Sequence, residues 1–186
     1  MMIMGTTALV SLQDFEDLEI SEDVELLRGE LVHMSLPVAL HADICERIYD
    51  PLREAFKRRQ AGNPNVPCGH VHFEVGYLLT EDPPTLLGPD VSITHPNQPV
   101  NRFYQGAPAV VFEVISANDR AQRLEEKIAE YLDHGAGEVW AIFPATRHAW
   151  VYRQGTARLE TETIRSDFFP EVEIPLHDLL SSASPV

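Results

Sequence analysis

Residues 108–119, PAVVFEVISAND, hold the feature that most restricts the fold. Val110, Val111, Phe112, Val114 and Ile115 are apolar and fall on both faces of any strand they form. A strand that is dry on both faces belongs inside a sheet covered on both sides. The next segment, DRAQRLEEKIAEYLDHG, places Leu124, Ile128, Tyr131 and Leu132 at helical spacing. Asp119 is suited to cap its start and Gly135 to close it. EVWAIF at 138–143 then reads as another strand. Strand, helix and strand in this order predict a parallel crossover.

The rest of the chain supplies elements around that unit. Ser11 is placed to cap a short helix through about Leu18. VELLRGELVHM reads as a hairpin turning at Arg28 and Gly29. In HADICERIYDPLREAFKRR, Ile44, Ile48, Leu52 and Phe56 recur every four residues, an amphipathic helix bent at Pro51. HVHFEVGYLL and PDVSIT read as strands separated by a Pro-rich loop, and AWVYR with ARLETETI as a hairpin around Gly155. The expected architecture is α/β in the α+β sense, a mixed β-sheet flanked by two main helices. It forms one domain over 1–186: a short segment at 1–19, a β-hairpin at 20–39, a core at 40–143, and a C-terminal hairpin and tail at 144–186.

Composition narrows the class. With 186 residues, roughly 70% of the surface of the unfolded chain can be buried. Two cysteines, Cys45 and Cys68, make no disulfide framework and suit a reducing compartment. The first twelve residues lack the basic flank of a signal peptide, and no apolar run reaches the ~18 residues of a membrane span. A cytoplasmic protein without membrane attachment is expected. The net charge of −15 disfavours unspecific attraction to nucleic acid. The charge is uneven, however, because Arg47, Arg53, Lys57, Arg58 and Arg59 cluster on the first long helix.

Glu113 sits in the middle of the dry strand. A buried carboxylate is costly if charged and unpaired, so it is paired, protonated, or bound to a cation. Two carboxylates from neighbouring strands would make a Mg²⁺ site. Asp90, at the start of VSI, is the nearest candidate partner. Lys127 lies about 60° around its helix from Leu124, flanking the apolar stripe. Arg120, Arg123 and His134 share that flank and would form a basic edge. The plainer alternatives are a Pro-Asp turn, a Glu113–Arg ion pair and a solvated lysine. His70, His72 and Glu74 alternate along HVHFE, a pattern that holds Zn²⁺ or Fe²⁺ in cupin-like barrels, but two amphipathic helices argue against that fold.

The motifs PDVSI, APAVVFEVISANDR and EKIAEYLDHGAGEVWAIFP, in this order, resemble the Uma-two family of restriction-endonuclease-like proteins. LLRGELVHMS, His41 and DFFPEVEIPLHDLL extend the resemblance over about residues 20–180. The family is similar to nucleases of the PD-(D/E)xK type. The resemblance implies a restriction-endonuclease-like core, with Asp90 and Glu113 binding Mg²⁺ or Mn²⁺. The usual lysine two positions after the glutamate is replaced here by Ile115, and Lys127 takes its place from the following helix. IFP and SAND depart from the family's usual segments without touching a proposed ligand.

Several residues are accessory candidates: Glu30 as an extra acid, His41 facing inward towards phosphate or a water, and Ser116 at the strand-to-helix turn. Arg120 and Arg123 are candidate phosphate contacts. The expected activity is endonucleolytic hydrolysis of DNA, with a homodimer as one possible assembly. The alternative is a binding or regulatory module that keeps the nuclease fold and cuts little.

Overall fold

The computed structural model describes residues 9–17, 24–34, 36–65, 67–116 and 120–181. The N-terminal elements are α1 (Leu12–Asp17), β1 (Val24–Leu27), β2 (Glu30–His33) and the long α2 (Ala39–Gly62). The middle of the chain forms β3 (Val71–Phe73), β4 (Tyr77–Glu81), β5 (Pro84–Leu87), β6 (Val91–Ile93), β7 (Tyr104–Gln105) and β8 (Val110–Val114). Then come α3 (Ala121–Asp133), β9 (Glu138–Phe143), β10 (His148–Arg153), β11 (Thr156–Glu160), β12 (Thr163–Ile164), β13 (Ile174–Pro175) and α4 (Leu176–Leu179).

The strands divide among sheets instead of forming one. A six-stranded sheet runs β11-β10-β9-β8-β6-β3, and a five-stranded sheet runs β2-β1-β5-β4-β7. β12 and β13 form a small third pair. β8 and β9 are parallel, from Val110 against Glu138 to Val114 against Ile142, with α3 as the crossover. All five residues of β8 are buried. Val110, Phe112 and Val114 pack towards α2, beside Ile44, Ile48 and Leu52. Val111 faces the other way, among Ile128, Tyr131, Leu27 and Leu87. The five-stranded sheet therefore lies on the α3 side of the larger sheet. Val10, Leu12 and Phe15 cover the five-stranded sheet's far face, against Leu26, Leu78 and Leu86.

Local chemistry explains the ends of several elements. Ser11 Oγ accepts the Asp14 N–H at 3.1 Å and caps α1. Gly135, at φ +110, follows the last turn of α3 in a conformation that side chains disfavour. Asp119, the expected cap of α3, lies outside the described residues. α2 continues through Pro51.

Two expectations require correction. HVHFEVGYLL is not one strand. The chain leaves β3 at Glu74, which has a positive φ of 41, and re-enters as β4 in the other sheet. The Pro-rich loop contains a strand, β5, seated between β1 and β4. Pro84 is its first residue, where the missing N–H interrupts no ladder. Both cysteines are free, and among the described residues no helix is long and apolar enough to cross a membrane.

Candidate metal centre and active site

β6 and β8 run side by side and carry the two acids into register. Val91 pairs with Phe112 and Ser92 with Val111. Extending that register by one residue sets Asp90 opposite Glu113. Asp90 is held at both oxygens: Oδ2 accepts the Val114 backbone N–H at 2.6 Å, and Oδ1 lies 3.1 Å from His41 Nε2. His41 reaches it from the first turn of α2. Residues from a strand, a helix and a neighbouring strand's backbone thus fix one carboxylate.

Glu113 faces α3. Its Oε1 lies 2.9 Å from Lys127 Nζ and accepts the Tyr131 hydroxyl at 3.1 Å. Lys127 is 9% exposed. It belongs to the buried face of α3, alongside Ile128, Glu130 and Tyr131, and not to its flank. The sequence reading missed Glu25 of β1. Its Oε1 accepts from Lys127 Nζ at 3.0 Å and from the Gly88 N–H at 2.9 Å. Its other oxygen, Oε2, is buried without a partner. Glu25 shares strand parity with Leu27, a signal that points it inward, but Val24, Leu26 and Leu27 together are apolar on both faces and blur the choice.

The electrostatics follow from this packing. Burial pushes the Glu113 carboxyl up to about 8, the Lys127 ammonium opposes the rise, and Asp90 and Glu25 add to it. Burial pulls Lys127 down, but the carboxylates of Glu113 and Glu25 outweigh it and hold the ammonium above its ordinary value. Tyr131 is raised well above the usual phenol range by burial and by the same acids. Two carboxylates thus converge on a single ammonium, with Asp90 close enough to Glu113 to raise it, and one carboxylate oxygen has no partner. Once Glu113 gives up its proton, such a cluster lacks positive charge. Its donors are all oxygen, which suits Mg²⁺ or Mn²⁺.

The other candidates are dispersed. Glu30 is exposed beside the hairpin turn, so the acid this hairpin delivers to Lys127 is Glu25. Ser116 and Arg120 are exposed and Arg123 is half-buried. Ser116 and Arg120 line a cleft of about 350 Å³ with Ile115, Leu124, Phe143 and Tyr152. His134 does not join a basic edge; its Nδ1 lies 3.4 Å from Glu130 Oε2 at the far end of α3. Nor do His70, His72 and Glu74 gather as ligands. His72 Nε2 lies 3.1 Å from the Tyr104 hydroxyl, and the fold is not all-β.

The chain is of the nuclease-like, restriction-endonuclease-like class by its family, with a fold to match. The chain belongs to the Uma2 family, described as "Putative restriction endonuclease", whose model matches residues 12–181. The fold is similar to that of a solved structure described as "a putative nuclease belonging to DUF820" from Anabaena variabilis ATCC 29413. That likeness has a TM-score of 0.79 at 18% identity, over 92% of this chain and 97% of the other. No curated protein matches the sequence.

Proposed function

We propose that the protein is a metal-dependent endonuclease that hydrolyses phosphodiester bonds in DNA. Asp90 and Glu113 would hold Mg²⁺ or Mn²⁺, and Glu25 stands near enough to Lys127 and Glu113 to contribute its unpaired oxygen. The observation that carries this reading is the excess of buried carboxylate around Lys127, including the orphaned Glu25 Oε2. When bound, such an ion polarises a phosphodiester and lowers the pKa of a coordinated water.

The chain's own groups have separable tasks. The Val114 N–H and His41 orient the Asp90 carboxylate. Tyr131 orients Glu113 by donating to the same oxygen that Lys127 contacts. Lys127 has three N–H donors, two of them directed at Glu113 and Glu25. The third is available to a water or a phosphoryl oxygen, where the ammonium offsets developing negative charge. In this reading Ser116 and Arg120, which line the cleft beside Ile115 just past β8, and Arg123 of α3 would contact the backbone of a nucleic acid.

The test is nicking of supercoiled plasmid with Mn²⁺ by the wild type and by Asp90→Ala, Glu113→Ala and Lys127→Ala. The wild type should cut, and each variant should lose about 10²-fold or more, the scale for removing one preorganised charged group. Equal cutting by all four would overturn the assignment.

A further inference from the structure

α2 carries a second set of donors that the oxygen cluster does not use. His41 and Cys45 stand four residues apart, one above the other on the helix face turned to Asp90. One ligand atom from each of His41, Cys45 and Asp90 lies within 4.8 Å of the others. Among the described residues no other group of three His, Cys, Asp or Glu side chains gathers this closely. Cys45 is 6% exposed, so its sulfur looks into the protein and not into solvent.

The donor types separate this trio from the neighbouring carboxylates. Mg²⁺ and Mn²⁺ take hard oxygen donors, whereas a thiolate with an imidazole selects Zn²⁺ and related thiophilic ions. Zinc binds sulfur at ~2.3 Å, and imidazole nitrogen and carboxylate oxygen at ~2.0–2.2 Å. Tetrahedral ligands at those lengths stand about 3.4–3.8 Å apart. His41 and Asp90 are already at 3.1 Å, so modest side-chain rotation closes the trio on one ion. The Val114 N–H would keep orienting Asp90 through its other oxygen.

We propose that His41, Cys45 and Asp90 form a site for Zn²⁺ or another thiophilic divalent cation, and that its occupancy withdraws Asp90 from the Mg²⁺ or Mn²⁺ centre. Binding forms a sulfur–metal bond as the Cys45 S–H proton leaves to solvent; no oxidant or reductant is involved. A hard cation gives little return for displacing that proton, and a thiophilic one gives a strong bond. Asp90 Oδ2 is engaged by Val114, which leaves Oδ1 to serve one ion or the other. The second half of the proposal rests on the endonuclease reading; the first does not.

The experiment uses the full chain with Co²⁺ as a spectroscopic probe, Zn²⁺ calorimetry and Mn²⁺-supported plasmid nicking. The wild type should show a thiolate-to-cobalt charge-transfer band that Cys45→Ala and Cys45→Val both lack. Alanine keeps a small apolar side chain at this buried position and valine keeps more of the volume, so either folded variant serves. Zinc affinity should fall at least ten-fold in both, and both should go on nicking at zinc concentrations that silence the wild type. Absence of the band, or equal zinc isotherms for wild type and variants, would overturn the site. Undiminished Mn²⁺ binding in the zinc-loaded protein would overturn the competition for Asp90. A thiolate–cobalt band in a wild type that never nicks DNA would leave the site standing and refute only the endonuclease reading.

Discussion

At the scale of single residues, the protein spends its unusual chemistry on Glu113 and Lys127. Lys127 sets its ammonium between two buried carboxylates. Its removal leaves the Glu25 carboxylate uncompensated, and Lys127→Ala should cost about 3–5 kcal/mol in urea unfolding of the metal-free protein. The pH dependence follows from Glu113, whose carboxyl rises from an ordinary 4.5 to about 8 in the fold. Between those values the unfolded chain has lost the proton while the folded chain retains it. The Glu113 contribution to stability is therefore complete below about 4.5 and disappears as pH climbs through about 8. Thermal melts of the metal-free protein should show this decline, and Glu113→Gln should flatten that part of the profile. A profile unchanged by the substitution would show that Glu113 ionises normally in the fold.

At the scale of elements, the site depends on how closely β3, β6 and β8 are laid together. Gly69 leads into β3, and a Cβ there would sit 1.8 Å from the Thr94 backbone oxygen. Thr94 N–H donates to His70 O at 2.9 Å, and the His70 N–H donates to Thr94 Oγ1 at 2.8 Å. An alanine at position 69 must prise these segments apart. Gly69→Ala should destabilise by about 1–3 kcal/mol, as overpacking does, read as a lowered urea midpoint. This is also the scale at which the sequence was most legible. The parallel crossover, both hairpins and α2 follow from local periodicity and turn glycines. Because β6 and β8 are adjacent, setting Asp90 opposite Glu113 needed only a register. Glu25 and Cys45 stayed hidden, since no local pattern tells which distant strand or helix face will arrive at a site. β5 was masked by Pro83 and Pro84, whose turn preference was overridden by pairing on both sides.

For the molecule as a whole, charge limits how nucleic acid is held. Many cations are already committed: Arg28 to Glu130, Arg59 to Glu171, Arg153 to Glu138, Arg158 to Glu160 and Arg165 to Glu173. With a net charge of −15, few remain to neutralise phosphates, and Arg120 and Arg123 are the proposed contacts. DNA affinity should show a shallow salt dependence, with a log–log slope of about −2 for two phosphate contacts. A slope several times steeper would place the contact surface elsewhere, for instance on the basic end of α2.

The account turns on a divalent cation shared by Asp90 and Glu113, and calorimetric titration of Mn²⁺ into the metal-free protein addresses that directly. Wild type should bind one ion, Asp90→Asn and Glu113→Gln should each weaken it at least ten-fold, and Cys45→Ala should leave it unchanged. Wild-type affinity surviving intact in both carboxamide variants would contradict the claim.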